Sequence, residues 1–246
     1  MTNSFTTVGI TGAGGNIVKT LQTGLSELYQ LKLYDLGPIE PVKTGQTIQV
    51  DFAEQEQVRN IFQGVDALIH LAGDPRPNAP KESTYRNNFV ATSYIFEEAK
   101  KAGVKKVIFA SSNFYHEGAI RDFLQGKSQK PILLSDNPTA LSLYGQSKVF
   151  GENIGRHLSH FGIQFVGLRI GWTVPEDDPS LYAGAYMSAM FCSHRDLINC
   201  FKQSLLIEEP FLVAYAVSNN SRGIFDLNQT REKLHFNPQD NAENYL

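Results

Sequence analysis

The chain has 246 residues, 41% hydrophobic and 19% charged, with a formal net charge of −3. This supplies a sizeable core, argues against disorder and against a nucleic-acid partner, which needs clustered cations, and suits one α/β domain over 1–246. Cys192 and Cys200 are too few for a disulfide scaffold, the N-terminal MTNSFTTVGITG is not a signal sequence, and no apolar run spans a bilayer, so a cytoplasmic protein with free thiols is expected.

Short apolar runs alternate with amphipathic ones. Residues 6–11 (TTVGIT) are β-rich and run into glycines. Residues 16–29 carry Ile17, Leu21, Leu25 and Leu28 at helical spacing. Strands are expected at 31–35 (LKLYD) and 47–52 (TIQVDF), with a short helix over 54–62. Residues 67–73 (ALIHLAG) are almost wholly apolar, as a strand buried on both faces requires. A helix over 88–102 ends at Gly103. Lys100-Lys101 and Lys105-Lys106 flank this turn and are expected as solvated lysines. A strand at 106–112 (KVIFASS), a helix over 144–161 and a strand at 163–171 follow. This alternation predicts a Rossmann-type, doubly wound parallel sheet with helices on both faces, with residues from about 172 onward as a small substrate-side extension. Loops at 74–81, 131–138 and 175–179 follow strand ends, where ligands bind in such sheets.

The first strand and helix are joined by Thr11-Gly12-Ala13-Gly14-Gly15-Asn16-Ile17. Glycines allow a tight turn and a close approach of main chain to a pyrophosphate, and the helix N-terminus offers free N–H groups. The third small position of the pattern holds Val18. Asp35 ends the second strand, where an acid hydrogen-bonds a ribose and repels a 2′-phosphate, so NAD is favoured over NADP. Asp51 is either an adenine-edge residue or a cap for helix 54–62. Phe52, Leu71, Ala72 and Gly73 complete the expected cofactor path.

Tyr144 and Lys148 are four residues apart and share a helix face. A nearby ammonium lowers a phenol's pKa, so the tyrosine can take a hydroxyl proton while hydride leaves the same carbon. Ser112, at the end of the fifth strand, is placed to hold the reacting oxygen. A Tyr/Lys pair alone is weak. The order of glycine turn, strand-end acid, strand-end serines and Tyr-x-x-x-Lys is specific.

With these motifs the chain resembles the extended short-chain dehydrogenase/reductase superfamily, in its NAD-dependent epimerase/dehydratase group. The likeness rests on TGAGGNI at 11–17, HLAG at 70–73, ASSN at 110–113, YGQSK at 144–148 and LRIG at 168–171. Within that group it is most similar to the uronate dehydrogenase branch, through Arg169-Ile170-Gly171, Pro175-Glu176, residues 215–220, Phe225-Asp226-Leu227 and Pro238-Gln239-Asp240. The resemblance implies oxidation of a sugar's anomeric carbon to a lactone with NAD. It makes Tyr144 the base, Lys148 its modulator and a ribose contact, and Ser112 and Asn113 substrate contacts. It gives Asp35 the adenosine ribose and Asn88 a place supporting either the cofactor side or the lysine, and it implies a homo-oligomer.

Three positions depart from the branch. Phe114 replaces a histidine, Trp172 a serine, and residues 177–181 lack the carboxylate-holding arginine. A buried carboxylate without a partner is costly, which weighs against a uronate unless Arg76 or Arg86 supplies the cation. Phe114 and Trp172 either give an apolar or stacking wall or simply pack in the core. His116 is expected as an exposed loop histidine or a substrate donor, and Arg195-Asp196 as a surface or interface pair. The alternatives are a nucleotide-sugar epimerase or dehydratase that recycles its NAD, and a catalytically silent NAD(P)-sensing protein.

Overall fold

The computed structural model describes residues 5–39, 45–182 and 184–245. The chain runs β1 (Thr7–Thr11), α1 (Asn16–Leu25), β2 (Gln30–Asp35), β3 (Gly45–Gln49), α2 (Gln55–Val58) and β4 (Ala67–His70). Then come α3 (Lys81–Thr84), a π-helical turn (Tyr85–Val90), α4 (Ala91–Lys101), β5 (Lys106–Ser112), α5 (Glu117–Leu124), α6 (Leu143–Ser159) and β6 (Gln164–Ile170). The last elements are α7 (Ala185–Met190), α8 (His194–Leu206), β7 (Phe211–Ala216) and α9 (Asn228–Leu234). The strands form one seven-stranded sheet in the order β3-β2-β1-β4-β5-β6-β7. Every neighbouring pair is parallel. The order reverses between β1 and β4, and a crevice opens there at the carboxyl ends of the strands.

Both faces of the sheet are covered. Ile108 and Ala110 of β5 join the cluster that contains Leu21, Leu25 and Phe201, from α1 and α8. Val107 and Phe109 face the other way, onto a cluster with Ile95, Phe96 and Leu158 from α4 and α6. The alternation of side-chain direction along a doubly buried strand explains why all seven residues of β5 are buried.

Several local expectations change. β7 is a seventh strand that the sequence reading missed. Helix α1 stops at Leu25, which leaves Leu28 57% exposed rather than in the core. The segment 54–62 keeps helix only over Gln55–Val58, because Asn60 turns to a positive φ of 59°. The helix expected from residue 88 starts at Lys81 and passes through the π-helical turn. Lys106 is buried, not solvated.

Candidate active site

A cleft of about 1130 Å³ lies along the carboxyl ends of β1, β2, β4, β5 and β6. At one end Gly15 caps α1 in an extended conformation with no side-chain cap, and the first turn carries no acid. Its N–H groups therefore face the cleft with the positive end of the helix. Gly12 has φ 75°, and a Cβ there would lie 2.7 Å from the Ala72 nitrogen, so the turn is pressed onto the segment after β4. Asp35 ties the turn to the end of β2. Gly14 N donates to its Oδ2 at 2.9 Å and Gly37 N to its Oδ1 at 3.0 Å. Asn16, Ile17, Phe52, Leu71, Ala72 and Gly73 also line the cleft. Val18, at the third small position, also borders the cleft, with its side chain buried in the core. The bare helix end, the close turn and the strand-end carboxylate together fit NAD.

Asp51 lines the cleft in a two-pronged pair with Arg86, at 2.9 and 2.7 Å. That guanidinium holds its carboxyl below the usual carboxylate range. Its side chain also accepts from Ala53 N at 3.0 Å. It does not cap α2, whose cap residue is Glu54. Asn88 stands behind the wall, not on it. Its Oδ1 accepts from Asp74 N at 2.7 Å, and its Nδ2 donates to Asp74 O at 3.0 Å and to Ser147 Oγ at 3.3 Å. It thereby fastens the segment after β4 to α6.

At the other end α6 carries Tyr144 and Lys148. Ser142 caps the helix by accepting from Gly145 N at 3.1 Å. Lys148 Nζ lies 5.2 Å from the centroid of the Tyr144 ring and 5.2 Å from that of Phe109. Burial lowers the Lys148 ammonium to about 8 and raises the Tyr144 phenol, the latter opposed by a hydrogen bond with Ser112. Behind them His70 is held by Thr11 Oγ1 at 2.8 Å and Thr92 Oγ1 at 3.0 Å. Burial, then the charge of Lys148, push it down to about 3, so it stays neutral.

Ser112 Oγ accepts from Phe114 N and donates to Asn113 Oδ1, both at 3.2 Å. Phe114 meets Tyr144 edge-on at 5.5 Å between centroids. Trp172, 37% exposed, lies 5.6 Å from the ring of Tyr186. A phenol, a serine hydroxyl and an amide thus line a cleft that has an aromatic wall. Such a site can hold a hydroxylated ring and move a proton from it.

Tyr186 escaped the sequence reading. Its hydroxyl accepts from Asn113 Nδ2 at 2.7 Å, and burial pushes it up to about 12. The six-residue α7 that carries it is too short to show a period. Also unforeseen is a buried chain beneath the site. Ser111 Oγ donates to Glu152 Oε1 at 2.5 Å, and Arg169 grips both oxygens of Glu152 at 3.0 and 2.8 Å.

Other expectations are corrected. His116 is fully buried, not an exposed loop residue, and lies outside the cleft lining, with Nε2 2.8 Å from Arg169 Nη1. Arg195 pairs with Asp240, while Asp196 is buried and accepts from Ser218 Oγ at 2.7 Å and Gln239 N at 2.8 Å. They are not a surface pair. Arg86 is engaged by Asp51 and Glu54, away from the substrate end. Arg76 does line the cleft.

Residues 8–184 match the model of the NAD dependent epimerase/dehydratase family. The chain is 32% identical to the NAD-dependent glucose-6-phosphate dehydrogenase of Haloferax volcanii, over 96% of this chain and 94% of that protein. It is 31% identical to the uronate dehydrogenase of Pseudomonas syringae pv. tomato, over 95% and 82%. A mutant of the uronate dehydrogenase from Agrobacterium tumefaciens, solved in complex with NAD, is similar at a TM-score of 0.84 and 25% identity, over 98% of this chain and 87% of that one. The chain belongs to the NAD dependent epimerase/dehydratase family, as an NAD-dependent dehydrogenase.

Proposed function

We propose that this chain is a sugar dehydrogenase that oxidises the anomeric carbon of an aldose, or of an aldose derivative, to the lactone. The carrying observation is the Tyr144 phenol within reach of both Ser112 and Lys148 in a cleft walled by Phe114 and Trp172. Glucose 6-phosphate and the uronates, named for the relatives, share an oxidisable sugar carbon.

When bound, NAD would supply the hydride acceptor. Tyr144 takes the proton of the anomeric hydroxyl while the carbon's hydrogen leaves with its electron pair, so the products are lactone, NADH and a proton. Burial alone would keep Tyr144 protonated. The ammonium of Lys148, charged over much of the neutral range, pulls the other way. Ser112 and Asn113 hold the reacting oxygen, with Asn113 fixed by Tyr186. Gly12, Gly14, Gly15, Asn16 and Ile17 form the pyrophosphate cradle, and Asp35 takes the adenosine ribose. Asp51 and Phe52 border the adenine, and Leu71, Ala72 and Gly73 border the path to the nicotinamide. Asn88 acts from behind the wall.

We read 1–246 as one domain and as one subunit of a homo-oligomer. Exposed Tyr85 and Val90 on the π-helical turn are apolar surface a partner copy would cover.

The test follows NADH absorbance with NAD and a panel of uronates, neutral aldoses, sugar phosphates and nucleotide sugars. Turnover with one class, cut about 10²–10⁴-fold in Tyr144→Phe, is expected. NAD binding with no NADH from any compound would overturn the reading.

A further inference from the structure

We propose that Arg76 is the anion-holding residue of the cleft, and that the sugar oxidised here carries a phosphoryl or carboxylate group away from the reacting carbon. This rests on the dehydrogenase reading above. Among the described residues that line the cleft, Lys148 and Arg76 are the only cations. Lys148 is buried beside Tyr144. Arg76 is the opposite case, with 62% of its side chain exposed.

Its orientation is fixed from behind. Asp74, 6% exposed, accepts Arg76 Nε at 2.9 Å and Nη2 at 2.6 Å. The same carboxylate accepts Arg76 N at 3.2 Å and Ser83 Oγ at 2.6 Å. Each oxygen therefore has two donors, and Asp74 has no acceptor site left for a ligand. The backbone beneath is equally constrained. Asn88 holds both the N–H and the carbonyl of Asp74, and Pro75 and Pro77 flank Arg76.

What Arg76 presents outward is the remaining edge of its guanidinium. Nη1 and one proton of Nη2 have no partner among the described residues. This edge carries two parallel donors and no acceptor. A planar fork of that kind matches the paired oxygens of a carboxylate or phosphoryl group, and a neutral hydroxyl fills it poorly.

The opposite wall offers no substitute. In residues 177–181, Asp177 accepts His194 N at 2.7 Å and Asp178 accepts Ser180 Oγ at 2.6 Å, and neither lines the cleft. Arg86 is committed to Asp51 and Glu54. Among the described residues that line the cleft, Arg76 is the exposed cation that can meet an anionic substituent. Because Asp74 neutralises the pair, Arg76 acts through directed charged hydrogen bonds rather than through bulk attraction.

The experiment is calorimetric titration of the enzyme–NADH complex with glucose 6-phosphate, glucuronate and glucose, in wild type, Arg76→Gln and Arg76→Lys. One anionic sugar is expected to bind at least about tenfold tighter than glucose. Which one does so separates the phosphoryl from the carboxylate source. Arg76→Gln should bring that sugar down to the level of glucose, Arg76→Lys should keep part of the preference, and NADH affinity should be unchanged in both. Three results would overturn the proposal: no preference for either anionic sugar, a preference that survives Arg76→Gln, or a loss of NADH affinity equal to the loss for the sugar. The last would give Arg76 to the cofactor's phosphates. Oxidation of glucose with no anionic preference sinks this inference alone. An Arg76-dependent preference without NADH formation sinks the dehydrogenase reading alone.

Discussion

Lys148 stands one helical turn from Tyr144, its ammonium nitrogen 5.2 Å from the phenol ring, with no hydrogen-bond acceptor on it among the described residues. Burial lowers its proton affinity from 10.5 to about 8. Between those values the unfolded chain binds the extra proton, so stability rises with pH. Below about 8 the buried charge costs its full amount, on the order of 3 kcal/mol. Lys148→Met is therefore expected to melt higher than wild type near neutral pH, with the gain shrinking as pH climbs past 8 towards 10.5. It should lose NADH formation by about 10²-fold or more. Thermal unfolding over a pH series checks this, and a melting temperature below wild type at neutral pH would contradict it.

Glu152 and Arg169 form a buried pair beneath the site, and Ser111 hangs from it immediately before Ser112. Removing one partner leaves an uncompensated buried charge. Glu152→Gln is expected to cost about 3–5 kcal/mol in chemical denaturation. Adding Arg169→Met should recover part of that loss, because the orphaned guanidinium is gone. A double variant less stable than the single one would show that the pair's charge is not the main term.

Helix α6 reaches the sheet through glycines. A Cβ on Gly151 would lie 2.3 Å from the Phe109 ring, and one on Gly155 would lie 2.1 Å from the Phe165 ring. Alanine returns about 1 kcal/mol of helix propensity. Overpacking costs about 1–3 kcal/mol, and contacts this short put it at the upper end. Both Gly→Ala variants should lose about 2 kcal/mol by denaturant titration. They should differ in activity. Phe109 also carries Lys148 over its face, so Gly151→Ala should lower kcat, while Gly155→Ala should leave it close to wild type. Equal effects on kcat would detach the Phe109 contact from catalysis.

Which features were legible in the sequence follows from the range of the interactions. β1, β4, β5 and β6 are short, almost continuously buried runs bounded by turns, and a doubly buried strand can hardly be anything else, whereas the edge strand β3 is mostly exposed. The glycine turn, Asp35, Ser112 and the Tyr144–Lys148 pair each sit on a local motif, so each could be read in place. β7 lies between α8 and the short α9, whose seven residues give no clear period, so no alternation of strand and helix announced it. Tyr186 meets Asn113 across 73 positions, and no local pattern announces that bond. Asp196 looked like a surface acid beside Arg195, yet it ties down the backbone of Gln239 and Asp240 more than forty positions on. Charge alone misled in the same way at Lys106.

Lys106 opens β5 with 1% exposure, and its Nζ donates to Ser204 O at 3.1 Å, to Leu205 O at 3.0 Å and to Ile207 O. These carbonyls lie at the end of α8, which has no helical partners for them and carries partial negative charge. Burial pushes this lysine to about 8 as well. The two lysines nevertheless differ in what a methionine would leave behind. At Lys148 it removes a costly charge. At Lys106 it strips three carbonyls of their donor, and an unsatisfied buried acceptor costs about 1–3 kcal/mol. Even a neutral amine keeps two N–H donors, so the cap persists whichever way the group titrates. Lys106→Met is expected to lose about 3 kcal/mol and to expose the end of α8 to faster amide exchange. Opposite signs for the two Lys→Met changes in one thermal-unfolding series would establish that acceptors, not burial, decide what a buried lysine contributes here. A gain in stability at both would refute the cap.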